Sequence, residues 1–294
     1  EVCNYFIENK SFPDKFDKEL ETALTNLEKL TKKKFNDDKT PLLLSVRSGG
    51  KVSMPGMMDS ILNIGINDKN VDALASNFND ERFALDSYRR LIQMYGNVVL
   101  EIEMDRFEAI IDNKKRIDGV ENDNDFDSEQ LSWIIDAFKT TVERFGGNPF
   151  PQDPIIQLKL SIEAVFKSWL NKRAVTYRKI NNIPNNLGTA TTVQSMVFGN
   201  LNESSGTGVA FTRFPSTGKN KLYGEYLMNA QGEDVVAGIR TPYPIGKHEK
   251  NTQPSLEEEN PALFNDIKFI GDKLETHYKD CLLYTSPSPR DLST

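Results

Sequence analysis

One stretch limits what this chain can fold into more than any other: residues 42–66, LLLSVRSGGKVSMPGMMDSILNIGI. Leu42, Leu43, Leu44 and Val46 read as a buried strand, and the run ends at Arg47-Ser48 followed by Gly49-Gly50. A guanidinium and a hydroxyl therefore sit at the end of an apolar strand, on backbone free to approach a ligand closely. Arginine offers a fixed, always-charged fork that grips phosphate oxygens bidentately, and neighbouring amides add to it. The same Arg47 could instead pair with a carboxylate, and the residues alone leave both readings open.

The chain is 294 residues long, enough for one large domain or two to three subdomains. Its net charge of −7 argues against a general nucleic-acid binder or a binder of acidic membranes, so any phosphate site is locally basic. No stretch approaches the roughly 20 apolar residues of a membrane span. Cys3 and Cys281 lie near opposite ends, which supports neither a disulfide scaffold nor a zinc site. A reducing, cytoplasmic setting is the expectation. EVCNYFIENK has neither a signal pattern nor a starting Met, so the start looks like a cut and organellar targeting stays open. The triplet at Asn202 that matches a glycosylation acceptor is treated as noise.

Along the chain, residues 15–30 predict an amphipathic helix through Phe16, Leu20, Ala23, Leu27 and Leu30. Lys32-Lys33-Lys34 reads as a solvated helix end rather than a phosphate patch. Residues 80–95 predict a helix, 104–111 a short one, and 112–127 a polar solvent loop. A helix capped at Asp127 or Ser128 runs to Gly146-Gly147, and another follows Pro151 and Pro154, so residues 70–170 are mostly helical. The period then changes. Residues 190–198, 206–213 and 222–228 read as strands, and 261–279 returns to helix. The last fourteen residues, CLLYTSPSPRDLST, have no amphipathic period and read as a disordered or non-native tail.

Two further constellations carry chemistry. In SSGTGVAFTRFPSTG, Ser204, Ser205, Gly206, Thr207 and Gly208 open a strand, and such a loop can lay N–H groups around a triphosphate. A tight hairpin needs the same residues, and the run does not fit G-x-x-x-x-G-K-[ST]. In GEYLMNAQGEDVVAG, Glu225, Glu233 and Asp234 flank a Gln231-Gly232 turn. These carboxylates could hold magnesium or a ribose hydroxyl, or form a solvated acidic turn. Nucleophilic catalysis finds no support, because His248 and His277 have no Ser or Cys partner in a recognisable setting.

SVRSGG, PGMMDSILNIG, VQSMVFGN, SGTGVAFTR and GEYLMNAQGEDVVAGIRTP together resemble the N-terminal nucleotide-binding domain of the pyruvate, phosphate dikinase family, over roughly residues 1–280. The resemblance implies an α+β fold of the ATP-grasp kind: 1–69 begins a lobe, 70–170 is a helical insertion, and 171–280 supplies the remaining strands and phosphate loop. That family converts ATP, phosphate and pyruvate into AMP, pyrophosphate and phosphoenolpyruvate. A histidine on a swivelling domain takes the β-phosphoryl group and passes it to pyruvate in a third domain. The resemblance also implies ATP and Mg²⁺ as cofactors, a homodimer at full length, and no nucleic-acid or membrane partner. Residue by residue, it implies that Arg47 binds the transferring phosphates and Arg90 lines the site. Gln194, Met196 and Val197 border the adenine, Thr207 and Gly208 belong to the phosphate loop, and Glu225, Glu233 and Asp234 lie near nucleotide and metal.

The family's Gly-Gly-Lys-Gly motif would lie before Glu1, and its D-x-E metal ligands after Asp280. The expectation is a fragment that alone neither makes phosphoenolpyruvate nor binds ATP tightly. Two other readings stand beside it: the ATP half of a related phosphoenolpyruvate synthase-like enzyme or small-molecule kinase, and a non-catalytic nucleotide-binding module.

Overall fold

Leu44 and Val46 are fully buried whereas Arg47 is exposed, so β1 (Leu44–Gly49) passes from core to surface along its own length. It is the central strand of an antiparallel sheet, between β2 (Ser60–Ile64) and β3 (Ala190–Ser195). The computed structural model describes residues 1–52, 54, 56–237, 241–247 and 253–279, with only the backbone of Glu233, Val236 and Ala237. His248, Cys281 and the expected tail at 281–294 lie outside the described residues.

The chain divides into two compact units at Met196/Val197. The first begins with α1 (Val2–Asn9) and α2 (Phe16–Thr31). After β1 and β2 come α3 (Val71–Phe78), α4 (Glu81–Val98), α5 (Met104–Asp118), α6 (Ser128–Gly146), α7 (Pro154–Ser168) and α8 (Lys172–Ile180), and then β3. Helix starts follow their caps. Asp127 accepts from the Gln130 amide at 2.8 Å while Gln130 Oε1 accepts from the Asp127 amide at 2.9 Å, a reciprocal box that starts α6. Asp80 caps α4 one way, accepting from the Phe83 amide at 2.8 Å, and Asp153 with Pro154 starts α7. α4 packs on β2 and α6, and α7 packs on all three strands of the sheet. Buried Leu91, Ile92, Leu158, Ile162 and Val165 supply those apolar faces.

The second unit holds β4 (Gly206–Phe211), β5 (Tyr223–Met228), α9 (Gly232–Ala237), β6 (Tyr243–Pro244), α10 (Leu256–Glu259) and α11 (Pro261–Tyr278). Its sheet runs β4-β5-β6, antiparallel throughout. The core is Leu222, Tyr226, Ile245 and Leu256, against which α11 sets Phe264 and Ile267.

Three expectations need correction. α5 runs to Asp118, well into the segment read as a solvent loop: its polar residues are good helix formers, Lys114 pairs with Asp118 at 2.8 Å one turn on, and Gly119 ends it. β3 stops at Ser195, short of the predicted strand end at 198. The expected Gln231-Gly232 turn is the start of a short helix, α9. α1, α3 and α8 were not anticipated. Their few apolar positions give too short a period to read.

Gly96 lets α4 pass close to Phe107 of α5. A Cβ there would lie 2.5 Å from Phe107 Cζ, and that ring is fully buried with its centroid 5.0 Å from that of Phe138. Helix propensity favours Ala over Gly by about 1 kcal/mol, but overpacking a ring that cannot move aside costs more. Gly96→Ala is expected to lower stability by about 1–2 kcal/mol net, read from urea unfolding; a more stable variant would show that the ring has room to shift.

Candidate functional site

The glycine-rich end of β1 opens onto a groove of about 520 Å³ in the first unit. Ser48, Gly49, Gly50 and Lys51 form one side, Met54, Gly56, Met58 and Ser60 another, and Trp169 and Thr189 close it. None of its described lining residues is a carboxylate, and Lys51 brings a cation. Backbone amides, small hydroxyls and a lysine suit an anion in such a concavity.

The Met-rich rim is fastened from outside. Arg173 Nε donates to the Met57 carbonyl at 3.2 Å and its Nη2 pairs with Asp59. Asp59 Oδ2 also accepts from Asn171 Nδ2 at 3.0 Å. Behind it, Met54, Trp169 and Ala174 form a small buried cluster with Met57, Met58 and Tyr177 packed against it. Sulfur and indole fill an irregular gap of this kind well.

Arg47 lies opposite Ser60 on β2 and Thr192 on β3. Directly opposed residues of antiparallel strands share a face, so these three stand together, with Gln194 two positions along β3 on the same side. Arg47, Thr192 and Gln194 are exposed. Among the described residues no carboxylate pairs with Arg47. The alternative of a simple structural ion pair therefore finds no partner there.

Arg90 is placed differently. On α4 its Nε bonds Asp86 Oδ2 at 2.9 Å, and its side chain is only 11% exposed. Arg89 takes the other oxygen, Asp86 Oδ1, at 2.6 Å. Burial alone would raise the Asp86 carboxyl, but the guanidiniums of Arg90 and Arg89 outweigh it and hold it well below the usual carboxylate range. Met196 follows β3 and donates its amide to the Leu43 carbonyl at 2.9 Å.

The remaining expected residues belong to the second unit. Val197, at its start, is 89% exposed and outside any strand. Thr207 and Gly208 lie within β4, opposite Leu227 and Tyr226. A Cβ at Gly208 would meet the Glu225 carbonyl at 2.8 Å, so the glycine serves close strand approach. The preceding hydroxyls fold onto Asn202, whose Oδ1 accepts from Ser204 Oγ at 2.7 Å and Ser205 Oγ at 3.0 Å. Glu225 is exposed on β5. Asp234 Oδ2 accepts from the Gln231 amide at 2.8 Å at the start of α9. The Glu233 side chain lies outside those described. Among the described residues no group of three His, Cys, Asp or Glu could hold a metal ion. No helix among them is long and apolar enough to cross a membrane.

Lys51, Trp169, Thr189 and the Asp59–Arg173 clasp escaped sequence reading. Lys51 carried a signal, since it follows Gly49-Gly50 directly; Trp169 looked like one more core position of α7.

Fold and groove define a mixed α+β protein with an anion-receptive, glycine-rimmed groove. The family described as "Pyruvate phosphate dikinase, AMP/ATP-binding domain" matches residues 3–282. Pyruvate, phosphate dikinase of Rhizobium meliloti is 49% identical over 284 residues, covering 95% of this chain and 32% of the relative. That of Clostridium symbiosum is 49% identical over 282 residues (95% and 31%), and that of Giardia intestinalis 46% over 282 (95% and 31%). The chain belongs to this dikinase nucleotide-binding-domain family, and it spans about a third of the length of the curated relatives it matches.

The Asp86 cluster has a pH signature. A carboxyl depressed by folding stabilises fully above its unfolded value, about 3.9, and that contribution fades as pH falls below it toward the folded value. Asp86→Asn is expected to cost about 3 kcal/mol at neutral pH by taking from Arg89 and Arg90 the buried carboxylate they share. In denaturant titrations the gap from the parent should narrow below about pH 4; a gap independent of pH would remove the charge from the explanation.

Proposed function

We propose that this chain is the nucleotide-binding part of a pyruvate, phosphate dikinase that moves the ATP β-phosphoryl group to a histidine of a swivelling domain and on to pyruvate. Overall, ATP, phosphate and pyruvate become AMP, pyrophosphate and phosphoenolpyruvate. The observation that carries the reading is Arg47, exposed on a central strand without a described carboxylate partner, beside a groove whose described lining has amides, hydroxyls and Lys51 but no carboxylate.

In this proposal the fold is of the ATP-grasp kind, with 1–69 and 171–280 as its lobes and 70–170 as a helical insertion. Arg47 grips the transferring phosphates and steadies the charge that spreads over the equatorial oxygens in the transition state. Lys51 and the Gly49-Gly50 amides keep that charge out of bulk water. Gln194, Met196 and Val197 are assigned to the adenine, Thr207 and Gly208 to the phosphates, and Glu225, Glu233 and Asp234 to the ribose or metal. Arg90 tunes the site through α4, because Asp86 holds its guanidinium. Mg²⁺ belongs to the proposal as the nucleotide's companion. It takes most ligands from phosphate and water with one or two carboxylates, and exposed Glu225 is the described candidate. When bound it neutralises phosphate charge. The full-length enzyme is a homodimer in this reading, cytoplasmic, with its phosphohistidine and pyruvate-binding domains as the partners of this one.

In a full-length dikinase carrying this chain, Arg47→Ala is expected to slow phosphohistidine formation from ATP by about 10³-fold or more. Exchange between phosphohistidine and pyruvate should persist. Rapid-quench measurement of both half-reactions checks this, and loss of both would assign Arg47 to something other than ATP chemistry.

A further inference from the structure

Arg178 is the largest fully buried side chain among the described residues, at 1% exposure. Among the described residues it has no carboxylate partner, and burial lowers its basicity. An unpaired buried guanidinium is costly unless its donors and charge are otherwise satisfied. Here the satisfaction is local. Its Nη1 donates to the Trp169 carbonyl at 2.7 Å and its Nε to Asn185 Oδ1 at 2.9 Å. Its carbon centre lies 3.9 Å from the centroid of the Trp169 ring. Trp169 Nε1 in turn donates to the Asn185 carbonyl at 2.9 Å, so Asn185 ties cation and indole into one unit.

Trp169 is also a wall of the groove beside Lys51 and Thr189. A positive charge with no described carboxylate partner thus stands directly behind one wall of a groove whose described lining contains no carboxylate. Charge buried in low dielectric acts over longer distances than charge in water. Stacking on the ring, with the Nε and Nη1 donors fixed, holds the indole in one orientation.

We propose that Arg178 is a positioning residue of this groove: it orients the Trp169 wall and supplies the buried positive charge that selects a polyphosphate over neutral ligands. This rests on the reading of the groove as a phosphate site. Arg178 touches no ligand and acts through the indole and its field. Its removal should therefore weaken anion binding beyond any loss of stability.

The chain has 2 tryptophans, and exposed Trp133 can be changed to Phe so that Trp169 emission alone reports the groove. In that background, inorganic pyrophosphate is expected to change Trp169 emission saturably, with calorimetry giving the same affinity. Arg178→Met should bind pyrophosphate about tenfold more weakly, while Arg178→Lys, which keeps the charge, should stay within about threefold of the parent. If Arg178→Met binds as tightly as the parent, or Arg178→Lys as weakly as Arg178→Met, the inference is overturned and the phosphate groove stands. If Arg178→Met does not fold, Arg178→Lys decides: affinity near the parent supports the inference, a tenfold loss overturns it. A parent that shows no response to pyrophosphate removes the groove reading itself, and the role of Arg178 with it.

Discussion

A central strand that is apolar at one end and cationic at the other must leave the core partway along its length. In β1 the crossing falls between Val46, fully buried, and Arg47, exposed. Everything around it follows from that step. β2 and β3 flank the strand, so both sides of its backbone are hydrogen-bonded and its direction is rigid. α7 covers the apolar half. The polar half is left with Thr192 and Gln194 on one open face, and the glycines beyond it start the groove. A functional cation is best placed on such a strand, because a loop would spend binding energy ordering itself.

Arginines in this chain meet three different fates, and the contrast gives each its meaning. Arg89 and Arg90 share the two oxygens of buried Asp86, so both guanidiniums are held to a carboxylate on their own helix. Arg173 reaches outward to clasp Asp59 and the Met57 carbonyl. Arg47 alone of these four projects from a sheet with no described counter-charge. Charge that is already satisfied stabilises; charge left open is available to a ligand. Arg90 therefore differs from Arg47 in kind, although both were read as basic residues of one site.

Much of the first unit could be read from residues because its signals are local. The capping box at Asp127 and Gln130 and the 3.6-residue period of α4, α6 and α7 each act within a turn or two. Arg47 at the surface end of a buried strand could be read for the same reason. The groove could not, since Lys51, Trp169 and Thr189 meet only through the fold. α5 misled because its polar face, Lys114 to Asp118, has a loop's composition and a helix's propensities. The run at 204–208 had two meanings from the start. Its hydroxyls turn onto Asn202 and its glycines line β4, so hairpin chemistry accounts for that geometry in the second unit taken by itself.

The Met-rich segment after the glycines raises a question of rigidity that the clasp answers. Glycine and methionine both add freedom to an unfolded chain, and a groove edge made of them would have to be ordered by its ligand. Asp59 instead takes hydrogen bonds from Asn171 and Arg173, and Arg173 also holds the Met57 carbonyl, so the edge is pinned to α8 and the residue before it. The Trp169 wall behind that edge is pinned in turn by Arg178 and Asn185. Flexible side chains then line a groove whose frame is fixed at two points. The ordering cost falls on folding rather than on binding, which is the condition for a ligand's charge to be met by groups already in place.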